Sequence, residues 1–352
     1  MRNLFSGLLK LIIYDPMKSF ELKNIINFYQ DSENKGVKTV LVSLVGLDGS
    51  SYRKQGVRMA IAQDGTMMGA ISGGCVEKQL YRSALSVFDK NVSKVISYDG
   101  RYKLGCEGFL YILIEPFHLD KNDCLLILNA IEKRESFEIV SFYRKMDEIE
   151  GDFGSLFYIN GIKISTNQYF VLPEENHFEK FNQTINPDIQ LVIVGSEHDA
   201  IKLCRAASFL GWNVIVITSS KNTENRINFL DAKTVKFEPP ETINFNFIDL
   251  FTSVVLMTHS FSQDFQYLLK LVPAPPKYIG IIGSTKRKMQ LENKILDFLP
   301  NAELSFLDCI YSPAGLPIGA ETPEEIAISI IAEITSIMSN KGLVTLDTSF
   351  VG

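Results

Sequence analysis

The sequence predicts two α/β domains: a mixed N-terminal domain over residues 1–186 and a C-terminal domain over 187–352 built on a parallel sheet. Three observations carry this. The chain has 352 residues, about two domains' worth, and 46% of them are apolar, enough for two cores. After Pro187, apolar strands at 191–194, 212–217, 254–257 and 278–282 alternate with helical sequence, the rhythm of a parallel sheet covered on both faces. Before Pro187 the signals are those of hairpins, with Asp64-Gly65 and Asn160-Gly161 as turns between short apolar runs.

In the first domain, a helix is expected near 17–30 and a strand over 37–45, then strands at 57–62 and 67–71 joined by Asp64-Gly65. Val76, Leu80, Ala84, Leu85 and Phe88 fall at helical spacing, so a glycine-rich turn feeds a helix at Cys75. Residues 108–114 read as a buried strand, 121–133 as a helix and 137–143 as a strand. The stretch 173–188, with Pro173, Pro187 and many polar residues, is the best linker candidate.

Net charge −6 and a pI near 5.4 give no general attraction for nucleic acid, so any anion site must be local. The apolar stretch at residues 8–13 is short, carries Lys10 and lacks a cleavage pattern, and no later segment reaches the roughly 18 apolar residues of a membrane span. A cytoplasmic protein is expected. Cys75, Cys106, Cys124, Cys204 and Cys309 show no metal-type spacing and read as free thiols, by default small buried hydrophobes.

Ligands of such parallel sheets bind at the carboxyl ends of the strands. Gly195-Ser-Glu-His-Asp-Ala200 sits where a Rossmann dinucleotide fingerprint would sit, but Glu197 replaces the second glycine and adds bulk and like charge where a pyrophosphate would approach. The second strand ends in Thr218-Ser-Ser, without the acid that grips an adenosine ribose, so NAD binding is not expected. Gly283-Ser284-Thr285 precedes Lys286, Arg287 and Lys288 in a first helical turn, where the dipole disfavours cations. They are either a phosphate site or a solvated basic face. His198 and His259 fall just past strand ends, where a histidine is either structural or part of the crevice.

Ser72-Gly73-Gly74-Cys75-Val-Glu77 places a thiol at a helix start, where the local field lowers its pKa; the alternative is a buried cysteine in a tight turn. Leu104-Gly-Cys106-Glu-Gly108 is a second glycine-flanked cysteine, before a strand. The loop from Asp48 to Arg58 carries Arg53, Lys54 and Arg58, which either hold a phosphate or are solvated. Thr322-Pro-Glu-Glu325 is a capping box with proline at the first helical position, and Ser312-Pro-Ala-Gly-Leu-Pro-Ile-Gly-Ala320 before it is a loop long enough to close over a ligand.

Together, segments 49–58, 69–77, 104–108, 195–200, 278–288 and, most specifically, 312–333 resemble the XdhC/CoxI family, accessory proteins that bind molybdenum cofactor and help mature xanthine dehydrogenase and related molybdenum hydroxylases. The resemblance implies an N-terminal α/β domain followed by a Rossmann-like domain. It also implies a chaperone that holds the molybdopterin cofactor, protects it while a cysteine desulfurase supplies a terminal sulfur, and hands it to the apo-hydroxylase. By motif match Cys75 and Cys106 contact the metal centre, Cys75 foremost. The cofactor-binding candidates are then Arg53, Arg58, Gly73, Gly74, Cys75, Cys106, Gly195, His198, His259, Gly283, Ser284, Lys286 and Arg287, and a homodimer is the expected assembly. The sequence departs from the family pattern at Glu107 and Glu197, where glycine is expected. Two other readings stand beside it: an oxidoreductase whose Lys221 meets an NADP 2′-phosphate while a histidine moves a proton, and a non-catalytic dehydrogenase subunit.

Overall fold

The computed structural model describes residues 17–51, 54–72, 76–100, 108–167, 170, 178–218, 227–299 and 304–339. The described residues up to Pro187 form one compact unit and those from Asp188 on form another.

The first unit holds a six-stranded antiparallel sheet in the order β3-β2-β1-β5-β4-β7. Its strands are β1 (Thr39–Asp48), β2 (Arg58–Ala62), β3 (Met67–Gly69), β4 (Ser93–Asp99), β5 (Phe109–Pro116) and β7 (Ile149–Gly151). Alternation along β1 assigns its faces. Val40, Val42 and Leu44 pack with Leu80, Ala84 and Phe88 of α2 (Glu77–Lys90), whereas Leu41 packs with Leu22, Ile25 and Ile26 of α1 (Ser19–Asn34). Leu85, read from its spacing as part of the α2 core face, is instead exposed. The second sheet is four-stranded and antiparallel, in the order β10-β6-β8-β9, with β6 (Phe137–Tyr143), β8 (Gly154–Ile159), β9 (Ile162–Ser165) and β10 (Glu179–Ile185). Ile127 of α3 (Lys121–Glu132) joins Ile139, Phe157 and Ile185 of this sheet in one core. Asn160 and Gly161 both have positive φ, as the two-residue turn between β8 and β9 requires.

Two expectations are corrected here. The linker candidate at 173–188 contains strand β10, paired along its length with β6. Its polar sequence conceals it because β10 is an edge strand that buries only alternate residues, Gln183 and Ile185. Strands β4 and β7 also lie outside the elements read from sequence.

The second unit is a six-stranded parallel sheet in the order β13-β12-β11-β14-β15-β16. It comprises β11 (Gln190–Val194), β12 (Asn213–Thr218), β13 (Thr234–Phe237), β14 (Thr252–Leu256), β15 (Tyr278–Ile281) and β16 (Ile310–Tyr311). Leu191 and Ile193 face α4 (His198–Phe209) and α7 (Pro323–Met338); Val192 and Val194 lie in the core of α5 (Phe261–Leu271) and α6 (Thr285–Phe298). The sheet is doubly wound, with its switch point at β11, flanked by β12 and β14. The capping box is present as read: Glu325 N–H donates to Thr322 Oγ1, Thr322 N–H donates to Glu325 Oε2, and Pro323 opens α7. No described helix is long and apolar enough to cross a membrane.

Candidate functional site

Three loops that carry motifs leave the six-stranded sheet at one end. Asp48, Phe109 and Asp99 are cross-strand neighbours at the close of β1, the start of β5 and the close of β4. The loops after β1 and after β4 therefore emerge side by side, and a Cβ on Gly108 would lie 2.5 Å from the Ser50 carbonyl oxygen. Gly69, the last residue of β3, pairs with Met59 next to Arg58, where the β1–β2 loop returns to the sheet. The β3–α2 loop thus starts on the same side. Arg53, Gly73, Gly74, Cys75, Cys106 and Glu107 lie outside the described residues, but the residues that anchor their loops do not.

Glu77, the first residue of α2, closes the β3–α2 loop. Its carboxylate accepts Ser72 N–H at 2.7 Å and Ser72 Oγ–H at 2.9 Å, and Ser72 Oγ accepts Val76 N–H at 3.4 Å. The carboxylate also sits where a helix dipole favours an anion. Glu77 is buried, so these charge-assisted bonds hold the two ends of the loop together in low dielectric.

Arg58 closes the β1–β2 loop differently. It is buried at 3% exposure. Its guanidinium donates to Gly56 O at 3.1 Å, to Gln183 Oε1, and to Ser141 Oγ at 3.4 Å. Ser141 Oγ and Ser155 Oγ are 2.8 Å apart. The fully buried Glu115 carboxylate accepts Ser155 N–H at 2.8 Å, Ser155 Oγ–H at 2.7 Å and the Thr166 hydroxyl. Burial pushes the Glu115 pKa up, against those hydrogen bonds and the Arg58 charge. This chain of polar groups ties the two sheets of the unit together. Read from sequence as a cofactor ligand, Arg58 is here an internal pin beneath the loop.

In the second unit the carboxyl ends of β11, β12 and β14 enclose a cavity of about 180 Å³ lined by Gly195, Ser196, Glu197, Thr218, Thr258 and Gln263. Gly195 has φ +141°, and a Cβ there would collide with the Met257 carbonyl oxygen, so this turn admits no side chain. Glu197 is the N-cap residue of α4 but its side chain makes no capping bond. His198 opens α4 and His259 follows β14 in the left-handed region at φ 55°; both are exposed and neither lines the cavity.

The three cations after β15 have different fates. Ser284 caps α6, and Gly283 has φ +141° with a Cβ position only 2.6 Å from Arg287 Cδ. Arg287 Nη2 lies 2.6 Å from Oδ2 of Asp264, which is 1% exposed and also accepts the Thr258 hydroxyl at 2.6 Å. Lys288 Nζ donates to Ile310 O at 2.8 Å and lies 3.5 Å from Glu292. Lys286 is exposed and has no partner among the described residues. Of the three cations that looked like a phosphate site from sequence, Arg287 is paired within the protein with an acid of the neighbouring helix.

The loop 312–320 is fastened to α7 and β15. Glu333 Oε2 accepts Gly315 N–H at 2.8 Å and the Tyr278 hydroxyl at 2.6 Å, while Ala314 N–H donates to Ile281 O at 3.1 Å. Gly315 has φ +103° and a Cβ would strike Ser329.

Comparison with known proteins finds matches to both units. The family described as XdhC and CoxI matches residues 33–99, and the XdhC Rossmann domain matches residues 191–334. The chain belongs to the XdhC/CoxI family. Among its relatives, a Bacillus subtilis protein described as a probable subunit of xanthine dehydrogenase is 28% identical over 84% of this chain and 92% of that protein. The "Molybdenum cofactor insertion chaperone PaoD" of Escherichia coli is 22% identical over 90% of this chain and 88% of that protein. A crystal structure of a protein described as a xanthine dehydrogenase from Bacillus halodurans superposes with a TM-score of 0.75 at 26% identity, covering 95% of this chain and 99% of that one.

In this XdhC/CoxI protein, sequence reasoning missed the roles of Glu115, Asp264 and Glu333. Each had a signal: a carboxylate inside an otherwise buried strand or apolar helix needs a partner. Among the described residues, no group of three or more His, Cys, Asp or Glu is placed to hold a metal. Burial pushes the Cys124 and Cys204 thiols up to about 11.

Proposed function

We propose that the protein is a molybdenum-cofactor chaperone that binds the cofactor as cargo, protects it, and delivers it to a hydroxylase of the xanthine dehydrogenase type. The observation that carries this reading is the near full-length relationship to a cofactor insertion chaperone, with the family's motif loops rooted at one end of the six-stranded sheet. In this proposal Cys75 and Cys106, on loops rooted at the same end of the antiparallel six-stranded sheet, supply soft sulfur contacts to the metal centre. Arg53, Gly73 and Gly74 complete the pocket, while Glu77 and Arg58 fix the loop ends. The turns at Gly195, His198, His259, Gly283 and Ser284, with Lys286, remain candidate contacts of the second unit. A cysteine desulfurase and the apo-hydroxylase are the proposed partners, the working form a cytoplasmic homodimer. Glu197 in the wall of a cavity of only about 180 Å³ weighs against a dinucleotide there.

The test is client maturation. Apo-hydroxylase incubated with cofactor-loaded protein should gain activity, and Cys75→Ser should lose that transfer while keeping its circular dichroism spectrum. Full transfer by the Cys75→Ser variant would remove the proposed sulfur contact.

A further inference from the structure

The second unit contains a larger cavity, away from the β11 switch point. It measures about 470 Å³ and lies beside edge strand β16. Its walls carry three carboxylates, Glu292, Asp308 and Glu333, against one ammonium, Lys288. That ammonium is held to one side, donating to Ile310 O at 2.8 Å and lying 3.5 Å from Glu292. An anion is therefore repelled and a cation attracted.

Glu333 is the least expected member of this wall, because it is only 5% exposed. Its Oε2 is fixed by the Tyr278 hydroxyl at 2.6 Å and by Gly315 N–H at 2.8 Å, but its Oε1 has no hydrogen-bond partner among the described residues. A nearly buried carboxylate oxygen left unpaired is costly until a donor reaches it, and here the side chain borders the cavity from which a donor can come. Asp308 is exposed and likewise has no hydrogen-bond or ion-pair partner among the described residues.

Two features select the kind of cation. Among the described residues no group of three or more His, Cys, Asp or Glu is placed to hold a metal ion, so these carboxylates do not converge on a point charge. Tyr311, also in the wall, stacks on the buried Tyr278 ring at 4.8 Å and 19°, which covers one face of its ring and holds it as a platform. A guanidinium meets both conditions: it is planar, it spreads its charge and five N–H donors over three nitrogens, and it stacks on a tyrosine face. Free arginine carries an α-carboxylate that the same three acids would repel, whereas an arginine within a peptide chain carries none.

We propose that this cavity binds the guanidinium of an arginine side chain presented by a partner protein, its plane on Tyr311 and its N–H groups donating to Glu333 Oε1 and Asp308. This inference stands on the cavity alone and does not depend on the chaperone reading.

The experiment titrates the full chain by calorimetry with a short end-blocked peptide bearing one arginine, with its lysine and citrulline counterparts, and with agmatine. The arginine peptide should bind, the lysine peptide about threefold more weakly for want of a plane to stack, and the uncharged citrulline peptide about tenfold more weakly or worse. Asp308→Asn should weaken the arginine peptide about tenfold with the unfolding midpoint unchanged, and Tyr311→Leu should close the gap between arginine and lysine. Agmatine bound more tightly than the arginine peptide, with the same response to Asp308→Asn, keeps the guanidinium and overturns a protein as its source. Lysine or citrulline bound as tightly as arginine, affinity unchanged in Asp308→Asn, or no binding of any of the four at millimolar concentration overturns the site, and Asp308→Asn decides this even where Tyr311→Leu fails to fold.

Discussion

The motif end of the antiparallel sheet and the carboxyl end of the parallel sheet both carry glycine-rich turns beside charged residues, yet the charges there do different work: loop closure at the first, an ion pair between neighbouring helices at the second. At the first, Glu77 and Arg58 turn inward and hold loop ends. At the second, one of the three cations, Arg287, is paired with Asp264 at 2.6 Å, and Lys286 stays exposed.

The strongest way to break this comparison is at the inner pin. Arg58→Met removes the buried hydrogen bonds to Gln183 and Ser141 and the positive charge that acts on buried Glu115, and should cost about 3–5 kcal/mol by chemical denaturation. A loss under about 1 kcal/mol would show that the network is not what holds the two sheets. Burial raises the Glu115 pKa above its ordinary 4.5, so its contribution to stability is complete below 4.5 and is lost as pH rises through the raised value. Glu115→Gln should flatten that part of the stability–pH curve.

The next largest effect separates the three cations. Arg287→Ala strands the Asp264 carboxylate, 1% exposed, and should cost about 2–3 kcal/mol, whereas Lys286→Ala should change stability by less than about 0.5 kcal/mol. Equal effects in thermal unfolding would return the cluster to a solvated basic face. Smaller still is the loop clamp. Glu77→Ala should cost about 1–2 kcal/mol, and Glu77→Gln less, since an amide oxygen still accepts from Ser72. Hydrogen exchange at the Ser72 and Val76 amides checks this, with faster exchange expected in Glu77→Ala.

Much of this architecture was legible in the chain. Period and punctuation placed β11, α4, β12, β14 and β15, and the capping box of α7 was read residue by residue. The polar edge strand β10 was not, because only Gln183 and Ile185 face inward and half-buried alternation in a polar stretch looks like a linker. Which charges are spent internally was also hidden. Asp264 and Arg287 are 23 residues apart, and only the parallel sheet, by setting α5 beside α6, makes them neighbours. Glu115 and Arg58 meet through Ser141 and Ser155, residues with no pattern of their own.

The cofactor content of the purified protein tests the central claim most directly. The chain expressed in a cell that makes molybdenum cofactor, purified and oxidised, should release a fluorescent pterin derivative in an amount approaching that of the protein, and the same chain from a cell unable to make the cofactor should release none. Protein from the producing cell that carries no pterin, and that fails to take up cofactor added in vitro, would contradict a chaperone.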